Sequence, residues 1–360
     1  MRDSENLLGG KYRLVRLLGA GTAGEVWEAE NTFVMRRVAI KKLRSDLARD
    51  PEVRARFSAE ARAAGRIRHP NVVDVFDLGL ADGGEPFMVM ELCDGETLDS
   101  VIERRGAVGV SYACELLCQV LNALNAAHAL GIVHRDLKPA NVMVVHPHPE
   151  EPVVKVLDFG IAKGLERERS ESEERGLVFG TPLYMAPEQA AGEAVDHRSD
   201  LFAVGVILFE LLAGRPPFSG NTPEILLANV LSRPPLPLTR FAKAAPAELE
   251  LVVNKAMSKD PVDRFQSARE FERCLVDFIA PSQSSSRRIT GTSDVPLPLI
   301  ARDTLVPKAP AAPEFDRADA KDDAPATPEA PPQSVRRGRL QLVLEGTDPP
   351  PAGNEGNLGE

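Results

Sequence analysis

Over the first ninety residues, apolar and polar positions alternate in short runs. Tyr12–Leu18, Glu25–Ala29, Arg37–Lys42, Val72–Leu78 and Phe87–Glu91 each read as β-strands separated by turns. One helical pattern interrupts them, from about Pro51 to Ile67. Pro51 suits the first turn of that helix, behind Asp50 as N-cap. From about residue 97 the apolar period becomes helical. Ser111–Leu130 places Ala113, Leu116, Leu117, Val120, Leu121, Leu124 and Ala127 on one face. Leu201–Leu212 is apolar nearly all round, so it belongs in the middle of its lobe. Ile225–Leu231, Leu249–Met257 and Ser267–Ile279 complete the helical part. The pattern predicts an α+β chain: a small β-rich lobe over about 11–92, then a larger helical lobe over about 93–280. The cleft between two such lobes is the natural place for a ligand.

Composition alters this picture at one end. Residues 281–360 hold 13 of the 30 prolines and a single aromatic, Phe315. Such a Pro/Ala-rich segment buries too little apolar area to offset its ordering entropy, so a disordered tail is expected. Within it, Arg336–Leu344 is basic and then apolar; a chance cluster is the preferred reading over a docking segment. The net charge of −10 argues against a nucleic-acid partner. The first residues are polar and acidic, unlike a signal peptide, and the most apolar stretch, Leu201–Gly214, is too short for a membrane span. The four cysteines match no zinc spacing, and ordinary thiols in a reducing cytoplasm are expected.

Candidate chemistry begins with Gly19-Ala20-Gly21-Thr22-Ala23-Gly24. Missing side chains let backbone N–H groups approach phosphate oxygens. Alone, the turn is equally compatible with a plain hairpin. A dinucleotide fingerprint is disfavoured, because Glu25–Ala29 reads as strand and Val38-Ala39-Ile40-Lys41 ends in a cation where a ribose-binding acid belongs. Lys41 and Lys42 point to opposite faces of their strand, so one can face the cleft. Glu60, in mid-helix, gains weight only as a partner holding Lys41 toward phosphate.

The strongest candidate is His134-Arg135-Asp136-Leu137-Lys138-Pro139-Ala140-Asn141. Asp136 can accept or orient a hydroxyl proton, and Lys138 can neutralise a transferring phosphoryl group. Asn141 offers an oxygen to Mg²⁺, and Asp158 of Asp158-Phe159-Gly160, 22 residues after Asp136, offers a second.

In this set of motifs the chain resembles the eukaryotic-type protein serine/threonine kinases, which bacteria also carry. Gly19–Val26 resembles their glycine-rich loop and Val38–Lys41 the strand bearing the ATP-anchoring lysine, with Glu60 its helical partner. His134–Asn141 resembles the catalytic loop and Asp158–Gly160 the metal-binding triplet. Gly180–Glu188 resembles the end of the activation segment; His69-Pro70-Asn71, Asp200 and Arg264 also fall in place.

The resemblance covers about residues 11–280 and implies the bilobal protein-kinase fold. It implies ATP with Mg²⁺, or alternatively Mn²⁺, and protein substrates. ATP would be enclosed by Leu18, Gly19, Ala20, Gly21, Gly24, Val26, Ala39, Lys41 and Glu60, with backbone groups of Glu91 and Cys93 reading adenine and Met90 as gatekeeper. It also implies that Glu188 pairs with Arg264 and that Asp200 braces the catalytic loop. Lys138 and Gly180-Thr181-Pro182 resemble the Ser/Thr branch. A pseudokinase would lack Lys41, Asp136, Asn141 or Asp158, and all are present. A small-molecule phosphotransferase would lack the Gly180–Glu188 platform.

Arg135 implies an activation segment ordered by phosphate, but no threonine lies shortly before Gly180. Three readings stand open. Ser170 or Ser172 is autophosphorylated, an arrangement a homodimer would serve; Glu173 or Glu174 supplies the charge; or the loop has no switch role.

Overall fold

The computed structural model describes residues 7–21, 24–148, 151–159 and 182–279. The expected tail and the candidate sites Ser170, Ser172 and Thr181 lie outside the described residues.

The first lobe is a fully antiparallel sheet in the order β1-β2-β3-β4-β6-β5. Its strands are β1 (Leu7–Leu8), β2 (Tyr12–Ala20), β3 (Gly24–Asn31), β4 (Arg36–Leu43), β5 (Val75–Leu80) and β6 (Pro86–Met90). The twofold pleat gives each strand two jobs. One face buries Tyr12, Ala29, Val38, Ile40, Phe87 and Val89 as a small core. The other face carries Leu43 and Met88 against α1 (Pro51–Ala64), which contributes Phe57 and Ala61. Asp50 caps α1 as the sequence indicates, its side chain accepting from the Glu52 N–H at 2.8 Å, with Pro51 in the first turn.

Several boundaries differ from the sequence reading by up to three residues, and two of them have a visible cause. α1 ends at Ala64, where the Gly65 N–H turns back to the Ala61 carbonyl, rather than at Ile67. The strand expected over Val72–Leu78 starts only at Val75. Val72 forms an isolated parallel bridge with Val156, and the Val73 N–H donates to the Val156 carbonyl at 3.1 Å. A tertiary tie to the other lobe has taken residues whose local preference is β.

The second lobe is mainly helical, with α2 (Leu98–Arg105), α3 (Val110–His128), α4 (Pro187–Ala191), α5 (Arg198–Ala213), α6 (Pro223–Ser232), α7 (Ala247–Ala256) and α8 (Ala268–Val276). A three-stranded sheet of β7 (Gly95–Thr97), β8 (Val142–His148) and β9 (Glu151–Val156) lies at its upper edge. The predicted face of α3 is fully buried. α5 is buried on every side from Ser199 to Leu212, which accounts for its unbroken apolar run. The Tyr12–Leu18, Glu25–Ala29, Arg37–Lys42 and Phe87–Glu91 strands appear as β2, β3, β4 and β6 within a residue or two.

Gly205 lets α5 sit against α7: a Cβ there would lie 2.7 Å from the Ala256 Cβ and 3.1 Å from the Met257 Cγ. Gly205→Val is therefore expected to overpack this crossing and lower the unfolding free energy by about 1–3 kcal/mol in urea titration. Unchanged stability would show that the crossing relaxes freely.

Candidate active site

Lys41 projects from β4 on the same face as its register neighbours Val26 and Met88. Its Nζ lies 2.8 Å from the Asp158 carboxylate and 3.4 Å from that of Glu60 on α1. Lys42 pairs across to Glu25 on the opposite face. Burial works against the charge on Lys41, but Asp158 and Glu60 outweigh it and its pKa is raised. The lysine is thus held charged between the two lobes. Asp158 is reached through β9, and its φ of 45° places a non-glycine residue in the left-handed region. Phe159, next along, is buried against the His134 ring at a centroid distance of 4.8 Å.

The catalytic-loop candidate is fixed from below. Buried Asp200 in the first turn of α5 accepts the N–H groups of His134 and Arg135, both at 2.9 Å, and the Nε2–H of His128 at 2.7 Å. His134 is fully buried and donates its Nε2–H to the Leu157 carbonyl at 2.9 Å. Its Nδ1 accepts the Asp136 N–H at 3.3 Å, which fixes the neutral tautomer. Burial lowers the His134 pKa, although Asp200 pulls the other way. Arg135 sits at φ 64°, so Asp200 holds a backbone that would otherwise relax.

Above this base the polar groups converge. Lys138 donates to the Asp136 carboxylate at 3.1 Å. Asn141 donates its amide hydrogens to the Asp136 carbonyl at 2.7 Å and carboxylate at 3.3 Å. The Asn141 carbonyl accepts the Leu157 N–H at 2.9 Å, so the loop is joined to the residue just before Asp158. Among the described residues, no group of three or more His, Cys, Asp or Glu is arranged to hold a metal. The pair suits a hard cation nonetheless: Asn141 and Asp158 supply oxygens, Asp158 keeps a third of its side chain exposed, and magnesium takes its remaining ligands from phosphate and water.

The residues expected to form the roof and hinge lie on β2, β3, β4 and the end of β6. Gly19 pairs with Val26 and Ala20 with Glu25, while the Gly21 N–H reaches the Gly24 carbonyl at 2.8 Å. A Cβ on Gly24 would lie 2.1 Å from the Lys42 carbonyl oxygen, so only glycine fits. Leu18 lies on the same strand and is exposed. Ala39 and Met90 are cross-strand partners. Cys93 is half-buried, and burial, with Glu91, pushes its thiol up to about 11, so it is a neutral thiol rather than a nucleophile.

Glu91, Gln189 and Tyr184 make contacts at this site that carry no motif of their own. Glu91 spends its side chain on Lys155 of β9 at 2.8 Å and its N–H on the Asp74 carbonyl at 2.9 Å. Gln189 of α4 donates to the Arg135 carbonyl at 2.9 Å and accepts the Ala186 N–H at 3.1 Å. Tyr184 donates to buried Glu210 at 2.6 Å. The Arg135 Nε is buried and has no hydrogen-bond partner among the described residues. Glu188 meets Arg264 in a fully buried two-point ion pair at 2.6 and 2.7 Å, and Arg264 also serves the carbonyls of Ser258, Lys259 and Arg198.

A family profile described as "Protein kinase domain" matches residues 12–273. The chain belongs to the protein kinase domain family. Serine/threonine-protein kinase PknB of Mycolicibacterium smegmatis is 40% identical over 272 residues, which cover 75% of this chain and 43% of that protein. Serine/threonine-protein kinase Pkn1 of Myxococcus xanthus is 40% identical over 306 residues, 85% of this chain and 42% of that one. This kinase-family chain therefore spans less than half the length of these curated relatives. The crystal structure of the Mycobacterium tuberculosis PknI kinase domain matches with a TM-score of 0.60 at 30% identity, covering 77% of this chain and 99% of that one.

Two outcomes test this geometry. Arg264→Met leaves the Glu188 carboxylate buried and unpaired, and is expected to cost about 3–5 kcal/mol in unfolding free energy. A loss below about 1 kcal/mol would mean that the pair is not buried as described. His134 and His69 both have pKa values lowered by burial. A depressed histidine adds stability that is complete above its unfolded value near 6.5 and is lost as pH falls through it. Stability is expected to decline below about pH 6.5, by at most about 1.4 kcal/mol per unit for each group, with a shallower slope in His134→Asn. An identical slope in that variant would contradict the buried neutral assignment.

Proposed function

We propose that this chain transfers the γ-phosphoryl group of Mg-ATP to serine and threonine hydroxyls of proteins. The observation that carries the proposal is Lys41 held between Glu60 and Asp158, while Asp136, Lys138 and Asn141 bond together in a loop that Asn141 joins to Leu157, the residue before Asp158. In this reading the glycine turn lies over the phosphates and Lys41 binds them from the roof. Leu18, Val26 and Ala39 close on the adenine from above, and the backbone of Glu91 and Cys93 reads its edge. Asp136 orients the substrate hydroxyl and takes its proton. The hydroxyl oxygen attacks the γ-phosphorus as the bond to the β–γ bridging oxygen breaks, and ADP leaves with that electron pair. Lys138 offsets the charge on the moving group. Asn141 and Asp158 would hold magnesium, which supplies charge neutralisation across the β- and γ-phosphates. The protein kinase names of the relatives and the Lys138 position support the Ser/Thr branch.

Regulation follows from Arg135. A buried guanidinium nitrogen without a partner among the described residues favours an arriving anion. Phosphorylated Ser170 or Ser172 is the better partner, since a phosphate offers more acceptor oxygens than Glu173 or Glu174. Cytoplasmic action is part of the proposal. It is supported by four free thiols, and among the described residues no helix is long and apolar enough to cross a membrane.

Asp136→Asn is expected to retain ATP binding in calorimetry while transfer of labelled phosphate falls about 10²–10⁴-fold. Wild-type turnover in that variant would remove Asp136 from the role. Phosphatase-treated protein, checked by intact mass, is expected to lose most of its activity; full activity without phosphate would favour the glutamates instead.

A further inference from the structure

The peptide plane that joins Arg135 to Asp136 is held at both of its edges. Its N–H, that of Asp136, donates to the His134 Nδ1 at 3.3 Å. Its carbonyl, that of Arg135, accepts from the Gln189 Nε2 at 2.9 Å. A peptide unit is rigid, so the two bonds together set the direction in which Asp136 leaves the chain. The hold matters because Arg135 sits at φ 64°, a conformation that a non-glycine residue keeps only under constraint. Asp200 accepts the Arg135 N–H, which belongs to the preceding plane, and leaves the next plane free to turn. Of the two bonds on that next plane, the one from Gln189 is the shorter.

Gln189 is well placed for this task. Its neighbour Glu188 is locked into the buried pair with Arg264, which seats α4 in the lobe. The Gln189 Oε1 accepts the Ala186 N–H at 3.1 Å, so the amide group has one orientation, with its NH₂ toward the Arg135 carbonyl. α4 begins at Pro187, inside the Gly180–Glu188 segment that resembles a peptide platform. One side chain thus links that segment to the catalytic-loop candidate across 54 positions of sequence.

We propose that Gln189 is a positioning residue for phosphoryl transfer: its bond to the Arg135 carbonyl fixes the plane from which Asp136 reaches the substrate hydroxyl. The proposal rests on the kinase reading above. Lys138 and Asn141 steady the carboxylate end of Asp136, and Gln189 steadies the backbone end. Without the Gln189 donor the plane is tethered at one edge alone. A displacement of Asp136 on the order of 1 Å is enough to slow transfer about tenfold or more, while ATP is bound by other residues.

The test compares Gln189→Glu and Gln189→Met in the full chain. Gln189→Glu keeps an oxygen for the Ala186 N–H and loses the donor to Arg135; Gln189→Met loses both. Hydrogen–deuterium exchange of peptides spanning 132–137 reads the backbone without any phosphoryl transfer, and is expected to quicken about tenfold in both variants. Single-turnover transfer from γ-labelled ATP to casein, normalised to ATP sites counted by calorimetry, is expected to fall about tenfold in both, with the Kd for ATP within about twofold of wild type. A role confined to capping α4 would spare Gln189→Glu and impair Gln189→Met alone. Exchange or transfer in Gln189→Glu within about twofold of wild type overturns the proposal. Wild-type protein that binds ATP and transfers nothing overturns the kinase reading instead, and the proposal with it.

Discussion

One buried carboxylate sets the frame of this site. Asp200 sits on α5, the helix buried on all sides, and accepts two consecutive backbone N–H groups and one imidazole N–H. A carboxylate out of water is costly unless its lone pairs are filled, and these three donors fill them. The return is positional. A loop whose own backbone is strained at Arg135 is fixed to the helix buried on every side, and Asp136 is held in place with it. His134 carries the constraint onward through Leu157, and Asn141 repeats it one residue before Asp158.

The two lobes meet across short ties of different chemistry. Val73 and Asn71 exchange backbone hydrogen bonds with Val156, Lys155 pairs with Glu91 at the hinge, and Lys41 pairs with Asp158. All three ties end on β9 or within two residues of it. The segment that delivers Asp158 is therefore also the segment that registers the lobes. Charge does the remaining work: Lys41 stays protonated because two carboxylates outweigh its burial, and both Glu188 oxygens accept from the buried Arg264 guanidinium.

Much of this was legible in the sequence because it depends on local pattern. The pleat period marked the strands of the first lobe, and the all-apolar run marked α5. Pro51 after Asp50 marked the start of α1, and the spacing from Asp136 to Asn141 and Asp158 marked the site. What escaped the sequence depends on tertiary partners. β7, with three residues, is too short to show a period, and β8 carries a proline that demotes it. Val72 and Val73 read as strand, yet their hydrogen bonds go to Val156 across the lobes. Glu91 with Lys155, Gln189 with Arg135 and Tyr184 with Glu210 join residues 64, 54 and 26 positions apart. Each member alone reads as an ordinary polar residue, so only the fold reveals the pair.

The central claim is that Lys41, Asp136, Lys138, Asn141 and Asp158 form one phosphoryl-transfer centre acting on aliphatic hydroxyls of proteins. The most direct measurement is incubation of the purified chain with magnesium and γ-labelled ATP plus a general protein acceptor, followed by identification of the labelled amino acids. The account predicts phosphoserine and phosphothreonine, dependent on added divalent metal. Label confined to tyrosine, or no label in protein that binds ATP, would contradict it.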